Sequence, residues 1–291
     1  MTAEATTRRP ADGRPVVDTT YGPVRGVDNG IVKTWKAVRY AAAPVGELRW
    51  RAPQPPRKWT EPADASRVGP VCPQPTDPKI PIDLGAPQGD DFLSLNVWAP
   101  PDTQPGDGKP VMVWVHGGAY VLGSASQPLY HGAALATGGD VIVVTVNYRL
   151  GAFGFLELPT LGADSERFAT NLGLRDVLAG LEWVRDNIAA FGGNADNVTI
   201  FGQSGGGGKT YSLMNSPQAT GLFHKAIVMS GFAPMDTESV PADSLAESEA
   251  IGSALFDRVG VDSLTGKVLP EPRAAVRWRL ADQTSLELAG G

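Results

Sequence analysis

The sequence predicts an α/β protein with a mostly parallel, doubly wound sheet. Short, continuous apolar runs recur along the middle of the chain, which is typical of strands covered on both faces by helices. Between two of these runs, apolar residues recur at three- and four-residue steps, which is typical of an amphipathic helix. Strands that alternate with helices favour parallel pairing through crossover connections.

The elements follow from these patterns in chain order. Proline is frequent over residues 44–88, which predicts ordered surface loops and edge strands, because proline cannot join the middle of a sheet. The apolar runs predict strands at residues 111–115, 141–146, 198–201 and 226–229. The helix before the third strand has the apolar positions Leu174, Val177, Leu178, Leu181, Val184 and Ile188, and two glycines at 192–193 are its predicted stop. A further helix is expected through residues 211–214, and a polar loop followed by a helix at 245–259.

Composition limits the classes of partner and location. The chain has 291 residues, 42% hydrophobic and 19% charged, which is enough to bury a large core. Its net charge of −6 argues against a nucleic-acid or anionic-membrane partner, and no apolar stretch is long enough to span a bilayer. We expect a disordered tail at 1–15 and one domain over 16–291. With no secretory signal and the single cysteine Cys72, a cytoplasmic location is expected.

A candidate nucleophile stands directly after the third predicted strand. Residues 202–206 read Gly-Gln-Ser-Gly-Gly and match the pattern G-x-S-x-G, with Ser204 at its centre. The glycines let the chain turn sharply from strand to helix, so that the serine projects from the sheet in a strained backbone conformation. The pentapeptide alone is equally compatible with a glycine-rich turn that has no chemistry.

A second glycine motif supports the chemical interpretation. Residues 116–120 read His-Gly-Gly-Ala-Tyr and follow the predicted strand 111–115. Small residues there let backbone N–H groups point at a developing negative charge. Together with the N–H of Gly205, and aided by the dipole of the helix after Ser204, they would form an oxyanion hole.

Nucleotide binding is the alternative reading of the same region. Gly208, Lys209 and Thr210 follow a strand and resemble the end of the phosphate-binding pattern G-x-x-x-x-G-K-[ST]. The first glycine of that pattern would fall at position 203, which is Gln203, so the loop has the wrong length.

Longer motifs resemble the type-B carboxylesterase family, which includes cholinesterases and bacterial p-nitrobenzyl esterases. Residues 191–206 are similar to the family's nucleophile signature, and residues 90–100 to its second signature. Shorter matches lie at 44–50, 147–155 and 183–188, and the resemblance runs from Val16 to the end. It implies an α/β-hydrolase fold and hydrolysis of small-molecule carboxylic esters through an acyl-serine intermediate, with no metal or organic cofactor.

The resemblance also implies roles for individual residues. Ser204 is the expected nucleophile, and Gly118, Ala119 and Gly205 are expected to supply the oxyanion N–H groups. Ser230 matches a buried serine that helps to hold the family's acid residue.

Two departures from the family pattern bear on the site and on its surroundings. The family usually has Glu before and Ala after the nucleophile, where this chain has Gln203 and Gly205. Phe92 stands where many members have a cysteine that pairs with the equivalent of Cys72. We therefore expect Cys72 to be a buried bystander.

The expected triad partners are missing. In the family the acid and the histidine follow the nucleophile much later in the chain, whereas only 87 residues follow Ser204. We therefore expect a truncated domain, incomplete at its C-terminal end, that is a fragment with little activity alone. His116 is expected to hold the oxyanion loop, His131 to lie on the surface and His224 to be structural. Asp236 and Glu238 are expected to be solvated loop charges.

Two further expectations follow from this incompleteness. An open apolar edge is predicted at 226–229, through which the chain would self-associate. The rival function is a non-catalytic, cholinesterase-like interaction protein on the same fold. Because such relatives often lack the nucleophile, the intact motif around Ser204 argues against this rival.

Overall fold

The computed structural model describes residues 13–76, 81–156 and 168–231, together with two short strands near the end of the sequence. The strands are β1 (Val16–Asp18), β2 (Pro23–Arg25), β3 (Val27–Asp28), β4 (Lys33–Arg39), β5 (Ala63–Asp64), β6 (Ser94–Ala99), β7 (Lys109–Val115), β8 (Ile142–Val146), β9 (Gly193–Gln203), β10 (Lys225–Met229), β11 (Ala275–Trp278) and β12 (Leu286–Ala289). The helices are α1 (Ala133–Gly139), α2 (Gly151–Phe155), α3 (Leu172–Asn187) and α4 (Gly205–Met214).

Seven strands form the central sheet, in the order β10-β9-β7-β8-β6-β4-β3. The first four pair in parallel, and each of the last three is antiparallel to its neighbour. Because β4 is antiparallel to β6, it runs with the parallel strands, so five of the seven strands share one direction. The mostly parallel sheet predicted from the sequence is thereby confirmed, and all four predicted strands lie in its parallel half. β1, β2 and β5 form a small separate sheet, and β11 pairs with β12.

The amphipathic helix is confirmed as α3. Val177 and Val184 are fully buried on its inner face, whereas Asp186 on the other face is exposed. A 3-10 turn, Ile188–Phe191, follows α3 directly, so the chain stays helical for four residues beyond the end of the α-helix. Gly192 then adopts a φ of +85°, which an L side chain rarely tolerates, and the predicted stop lies there.

A buried ion pair joins α3 to the end of β8. The guanidinium of Arg149 donates to both carboxylate oxygens of Asp176, at 2.8 Å from Nε and 2.6 Å from Nη2. The backbone N–H of Arg149 donates to the same carboxylate at 3.0 Å, and both side chains are at most 1% exposed. Arg149 Nη1 also donates to the carbonyl of Arg51 at 2.8 Å, which ties the proline-rich segment to the sheet. Burial raises the pKa of Asp176, and the bonds from Arg149 oppose this rise.

The described residues of the proline-rich segment, 44–76 and 81–88, lie mainly in loops, as predicted. It contains the 3-10 turn Gly46–Leu48, the two-residue strand β5 at the edge of the small sheet, and an isolated bridge between Val71 and Gln88. Cys72 within it is buried and free, as expected, and its burial raises the pKa of the thiol.

β10 forms one edge of the central sheet. It pairs in parallel with β9 on one side, and no other described strand pairs with it. Ile227, Val228 and Met229 are exposed by 44, 38 and 37%. Within the described residues, β10 therefore forms the open apolar edge that we expected. Its continuous apolar run also predicts a strand covered on both faces, and this second prediction is wrong, because the three side chains are exposed.

Several sequence predictions fall outside the described part of the chain. The predicted helix at 245–259, Asp236 and Glu238 lie there, and so do residues 1–12 of the predicted tail. Arg14, at the end of that predicted tail, donates to Asp64 at 2.6 Å. Over the residues that are described, no helix is both long and apolar enough to cross a membrane, and no group of three or more His, Cys, Asp or Glu could hold a metal ion.

Candidate active site

Ser204 lies at the sharp turn between β9 and α4. Its φ of 55° and ψ of −126° fall in a region that non-glycine residues rarely occupy, so the backbone there is strained. Two hydrogen bonds fix this conformation. The N–H of Ser204 donates to the carbonyl of Met229 in β10 at 2.9 Å, and its carbonyl accepts from Gly208 in α4 at 2.9 Å.

The glycines of the motif are required by close backbone contacts. A Cβ on Gly202 would lie 2.5 Å from the carbonyl carbon of Gly206, on the other side of the turn. A Cβ on Gly206 would overlap the carbonyl oxygen of Val115 and lie 2.6 Å from that of His116. α4 can therefore begin directly against the end of β7 because neither position carries a side chain.

The turn that follows β7 is also strained. Gly118 has a φ of +114°, and Ala119 and Tyr120 have φ values of 50° and 66°. The carbonyl of Gly118 accepts hydrogen bonds from the N–H groups of Val121 at 3.0 Å and Leu122 at 2.8 Å, which closes the turn. We call residues 118–120 the donor turn.

The donor turn lies against Gly205, the first residue of α4. An ideal Cβ on Gly205 would be 3.3 Å from the nitrogen of Ala119 and 3.4 Å from that of Tyr120. An alanine would be tight at this position, so Gly205 fits the close approach of this turn. Among the described residues, the N–H groups of Gly118, Ala119 and Gly205 make no hydrogen bond. The structure therefore brings Ala119 and Gly205 together at the start of α4, directly after Ser204, and Gly118 precedes Ala119 in the same turn.

His116 is built into the support of the donor turn. It is 1% exposed, its Nδ1 lies 2.8 Å from the carbonyl oxygen of Gly117, and its ring stacks on Tyr148 with centroids 4.3 Å apart. The hydroxyl of Tyr148 donates to the His116 carbonyl at 2.5 Å. Burial lowers the pKa of His116 to about 3, so the ring is neutral at physiological pH. These contacts agree with a role in holding the loop.

The other two histidines lie away from the nucleophile. His131 is exposed beyond the 3-10 turn Pro128–Tyr130, with its ring against Trp98. His224 accepts a hydrogen bond at Nδ1 from the N–H of Val198 at 3.1 Å, and so it links β10 to β9. No hydrogen bond joins any of the three histidines to Ser204. His131 therefore lies on the surface and His224 has structural contacts, as expected from the sequence.

Ser230 differs from its expected environment. The resemblance implies a buried serine, whereas Ser230 is exposed directly after β10, with a φ of 47°. Because β10 is the edge strand, no described element covers its end on the outer side.

The nucleotide-binding alternative receives no support from the described residues. Gly208, Lys209 and Thr210 lie inside α4 rather than in a loop. The Lys209 ammonium donates to the carbonyl of Gly205 at 3.3 Å, and the Thr210 hydroxyl donates to that of Gly206 at 3.0 Å. Both side chains are buried and bonded to the preceding turn of their own helix, so neither is free to hold a phosphate.

Comparisons with known proteins agree with this geometry. The family model described as "Carboxylesterase family" matches residues 13–255. The chain is 48% identical to the para-nitrobenzyl esterase of Bacillus subtilis (strain 168) over 239 residues, which cover 81% of this chain and 48% of that protein. It is 39% identical to the phenmedipham hydrolase of Pseudarthrobacter oxydans over 255 residues, covering 86% of this chain and 49% of that protein.

The solved structure of a thermophilic pNB esterase is also similar. It superimposes with a TM-score of 0.74 at 45% identity, covering 85% of this chain and 49% of that one. The chain therefore spans about half the length of the relatives that it matches.

Proposed function

Because the chain belongs to the carboxylesterase family, we propose that it carries the nucleophile and the oxyanion donors of a carboxylic-ester hydrolase. The observation that carries this proposal is the strained turn at Ser204, beside which Gly205 and the N–H of Ala119 lie close together, both N–H groups being without partners among the described residues. A glycine-rich turn without chemistry would not require a non-glycine residue in this conformation. The same observation favours an enzyme over a non-catalytic interaction protein on the same fold.

The geometry suggests how the reaction would proceed. The Ser204 hydroxyl attacks the carbonyl carbon of a small-molecule ester, and the carbonyl oxygen gains negative charge. The N–H groups of Gly118, Ala119 and Gly205 would donate to this oxygen, and the N-terminus of α4 adds its dipole. The ester C–O bond then breaks, the alcohol leaves with a proton, and water hydrolyses the acyl-serine. This scheme requires no metal or organic cofactor.

The proton of Ser204 needs an acceptor, and none of the three histidines in the chain is placed to take it. General-base assistance contributes about 10²–10⁴ in rate. When triad members are missing, about 10³–10⁴ of rate over water remains from the oxyanion hole and binding. We therefore expect the 291-residue chain to react at Ser204 slowly and to turn over poorly.

Acetylation of the protein by excess p-nitrophenyl acetate tests this proposal. We expect intact-mass and peptide analysis to find the acetyl group on Ser204, with steady-state hydrolysis close to the buffer rate. Ser204→Ala should lose this modification, whereas Ser230→Ala, a change at an exposed serine, should keep it. Equal acetylation of the 202–206 peptide in the wild type and Ser204→Ala would contradict the nucleophile assignment. Enzyme-like turnover would contradict the absence of a general base for Ser204 among the described residues.

We also propose that the exposed edge of β10 is a site of self-association. Support comes from the apolar surface of Ile227, Val228 and Met229 on a strand with one unpaired side in the described part of the sheet.

An acidic chain of this kind is not expected to bind nucleic acid. A cytoplasmic location stays a prediction, supported by the unpaired thiol of Cys72.

Val228→Lys should reduce this association, because a charged side chain at a strand edge opposes pairing with a second edge. The measurement is the weight-average mass by light scattering over a range of protein concentrations. Ile31→Lys removes an apolar side chain that is 68% exposed in a loop away from the edge, and should leave the mass unchanged. Equal masses for the wild type and Val228→Lys would argue against the edge as the contact.

A further inference from the structure

Lys209 is a buried cation one turn along α4 from the nucleophile. It is 1% exposed and makes no ion pair with a carboxylate of the described residues. Its ammonium donates to the carbonyl of Gly205 at 3.3 Å. The remaining contacts are aromatic, because the ammonium lies 3.5 Å from the ring centroid of Tyr120, 4.8 Å from that of Tyr148 and 5.3 Å from that of Phe155.

This environment is costly for a lysine. Lysine is almost never fully buried unless it is paired, since the ammonium loses its hydration. Burial lowers the pKa of Lys209 to about 7. The aromatic faces recover part of the loss, because the ring quadrupole attracts a cation. Groups whose pKa values are strongly shifted cluster at functional sites, and Lys209 lies on the helix that begins directly after Ser204.

The rings around Lys209 belong to the support of the donor turn. Tyr120 ends that turn, and its ring meets Phe155 edge-to-face at 5.1 Å. Its carbonyl accepts from the N–H of Gly151 at 2.8 Å. Tyr148 stacks on His116, two residues before the turn. The ammonium therefore lies where the donor turn, its support and the first turn of α4 meet.

We propose that Lys209 is a positioning residue for the reaction at Ser204. Its ammonium, bonded to the Gly205 carbonyl and covered by the Tyr120 ring, holds the donor turn against the start of α4. This keeps the N–H groups of Ala119 and Gly205 in one place, where the oxyanion would form. The inference rests on the proposed function, and it assigns Lys209 no contact with the substrate.

The contact with Tyr120 depends on the charge of Lys209. The titratable groups that face it are Tyr120 and Tyr148, whose pKa values burial raises, and His116, whose pKa is lowered to about 3. Lys209 is the member of this group that changes charge near neutral pH. Since its pKa is lowered, the ammonium is present below about pH 7 and is lost as the pH rises through that value.

Lys209→Met tests the proposal, because methionine keeps an unbranched, apolar chain and removes the charge. Hydrogen exchange at the amides of Val121 and Leu122, whose bonds to the Gly118 carbonyl close the donor turn, should be about tenfold faster in the variant, in line with the loss of one buried cation–π contact. In the wild type, protection corrected for intrinsic exchange should fall as the pH rises through about 7, and in the variant it should be independent of pH. The melting temperature of Lys209→Met should equal or exceed that of the wild type, because the variant no longer buries an ammonium group.

Lys225→Met is the matched control, because Lys225 is an exposed lysine on β10 that bonds to Asn197. It should leave exchange of the donor turn unchanged. Acetylation of Ser204 should slow about tenfold in Lys209→Met and stay at the wild-type rate in Lys225→Met.

Equal exchange of the donor turn in the wild type and Lys209→Met, or a wild-type profile without pH dependence, would overturn the proposal. If the variant does not fold, the wild-type pH profile alone decides. If Ser204 of the wild type is not acetylated, the proposed function fails, and the exchange data still decide the role of Lys209.

Discussion

Replacement of Asp176 by asparagine is expected to lower the free energy of unfolding by about 3–5 kcal/mol, the usual cost of breaking a buried ion pair on one side. The guanidinium of Arg149 would stay in place with its side chain 1% exposed. It would then lack the negative charge of the carboxylate to which its Nε and Nη2 donate. Rearrangement toward water is blocked because the same guanidinium is bonded to the Arg51 carbonyl. Urea denaturation followed by tryptophan fluorescence measures the loss.

Asp186→Asn is the matched control on the same helix. Asp186 pairs with Arg185 at 2.7 Å, but both side chains are more than two-fifths exposed. Exposed pairs of this kind contribute about 0–1 kcal/mol. We expect the two variants to differ by about 2 kcal/mol or more. Similar midpoints for both variants would mean that the buried pair contributes no more than a surface pair.

Gly206→Ala is expected to destabilise the fold by about 1–3 kcal/mol and to slow acetylation of Ser204 by about 10²-fold. Its Cβ would overlap the Val115 carbonyl oxygen, so α4 and the end of β7 must move apart. That movement separates Ser204 from the donor turn, because the two follow directly from these elements. The measurements are the urea midpoint and the acetylation rate at Ser204.

Gly138→Ala makes the same chemical change in α1, where a Cβ would meet no atom within 4 Å. Alanine there should stabilise the protein slightly, by about 0.5–1 kcal/mol, since it is the better helix former. Its acetylation rate should equal that of the wild type. If Gly206→Ala behaves like Gly138→Ala, close approach is not what requires glycine at position 206.

The sequence predicts the parallel half of the sheet well, because its strands are continuous apolar runs. The antiparallel half is less evident. β6 contains the polar residues Ser94 and Asn96, which are buried and therefore break the apolar pattern. The Asn96 amide donates to the hydroxyl of Thr145 at 3.1 Å, a partner that lies far away in sequence. Such partners satisfy polar groups inside the sheet, and no local pattern reveals them.

The candidate site divides in the same way. The positions of Ser204 and of the donor turn follow from glycine motifs behind strands, which is a local signal. Lys209 has a misleading local signal, since its spacing resembles a nucleotide-binding loop. Its contact with Tyr120 joins segments that are 89 residues apart in sequence, and it exists only once β7 and β9 are neighbours. Their pairing, rather than any motif, creates the environment of that lysine.

The hydrogen bond from the Ser204 N–H to the Met229 carbonyl makes the backbone conformation of Ser204 depend on the edge strand β10. Edge strands fray more readily than central ones, because they lack a second neighbour to hold them. When β10 opens, one of the two bonds that fix the strained Ser204 backbone is broken, and the residue can relax to an ordinary conformation. Local opening of β10, the outermost of the described strands in the central sheet, would therefore release the strained geometry of Ser204 before the domain unfolds. We expect the lifetime of this geometry to follow the fraying of β10 rather than the global stability of the domain.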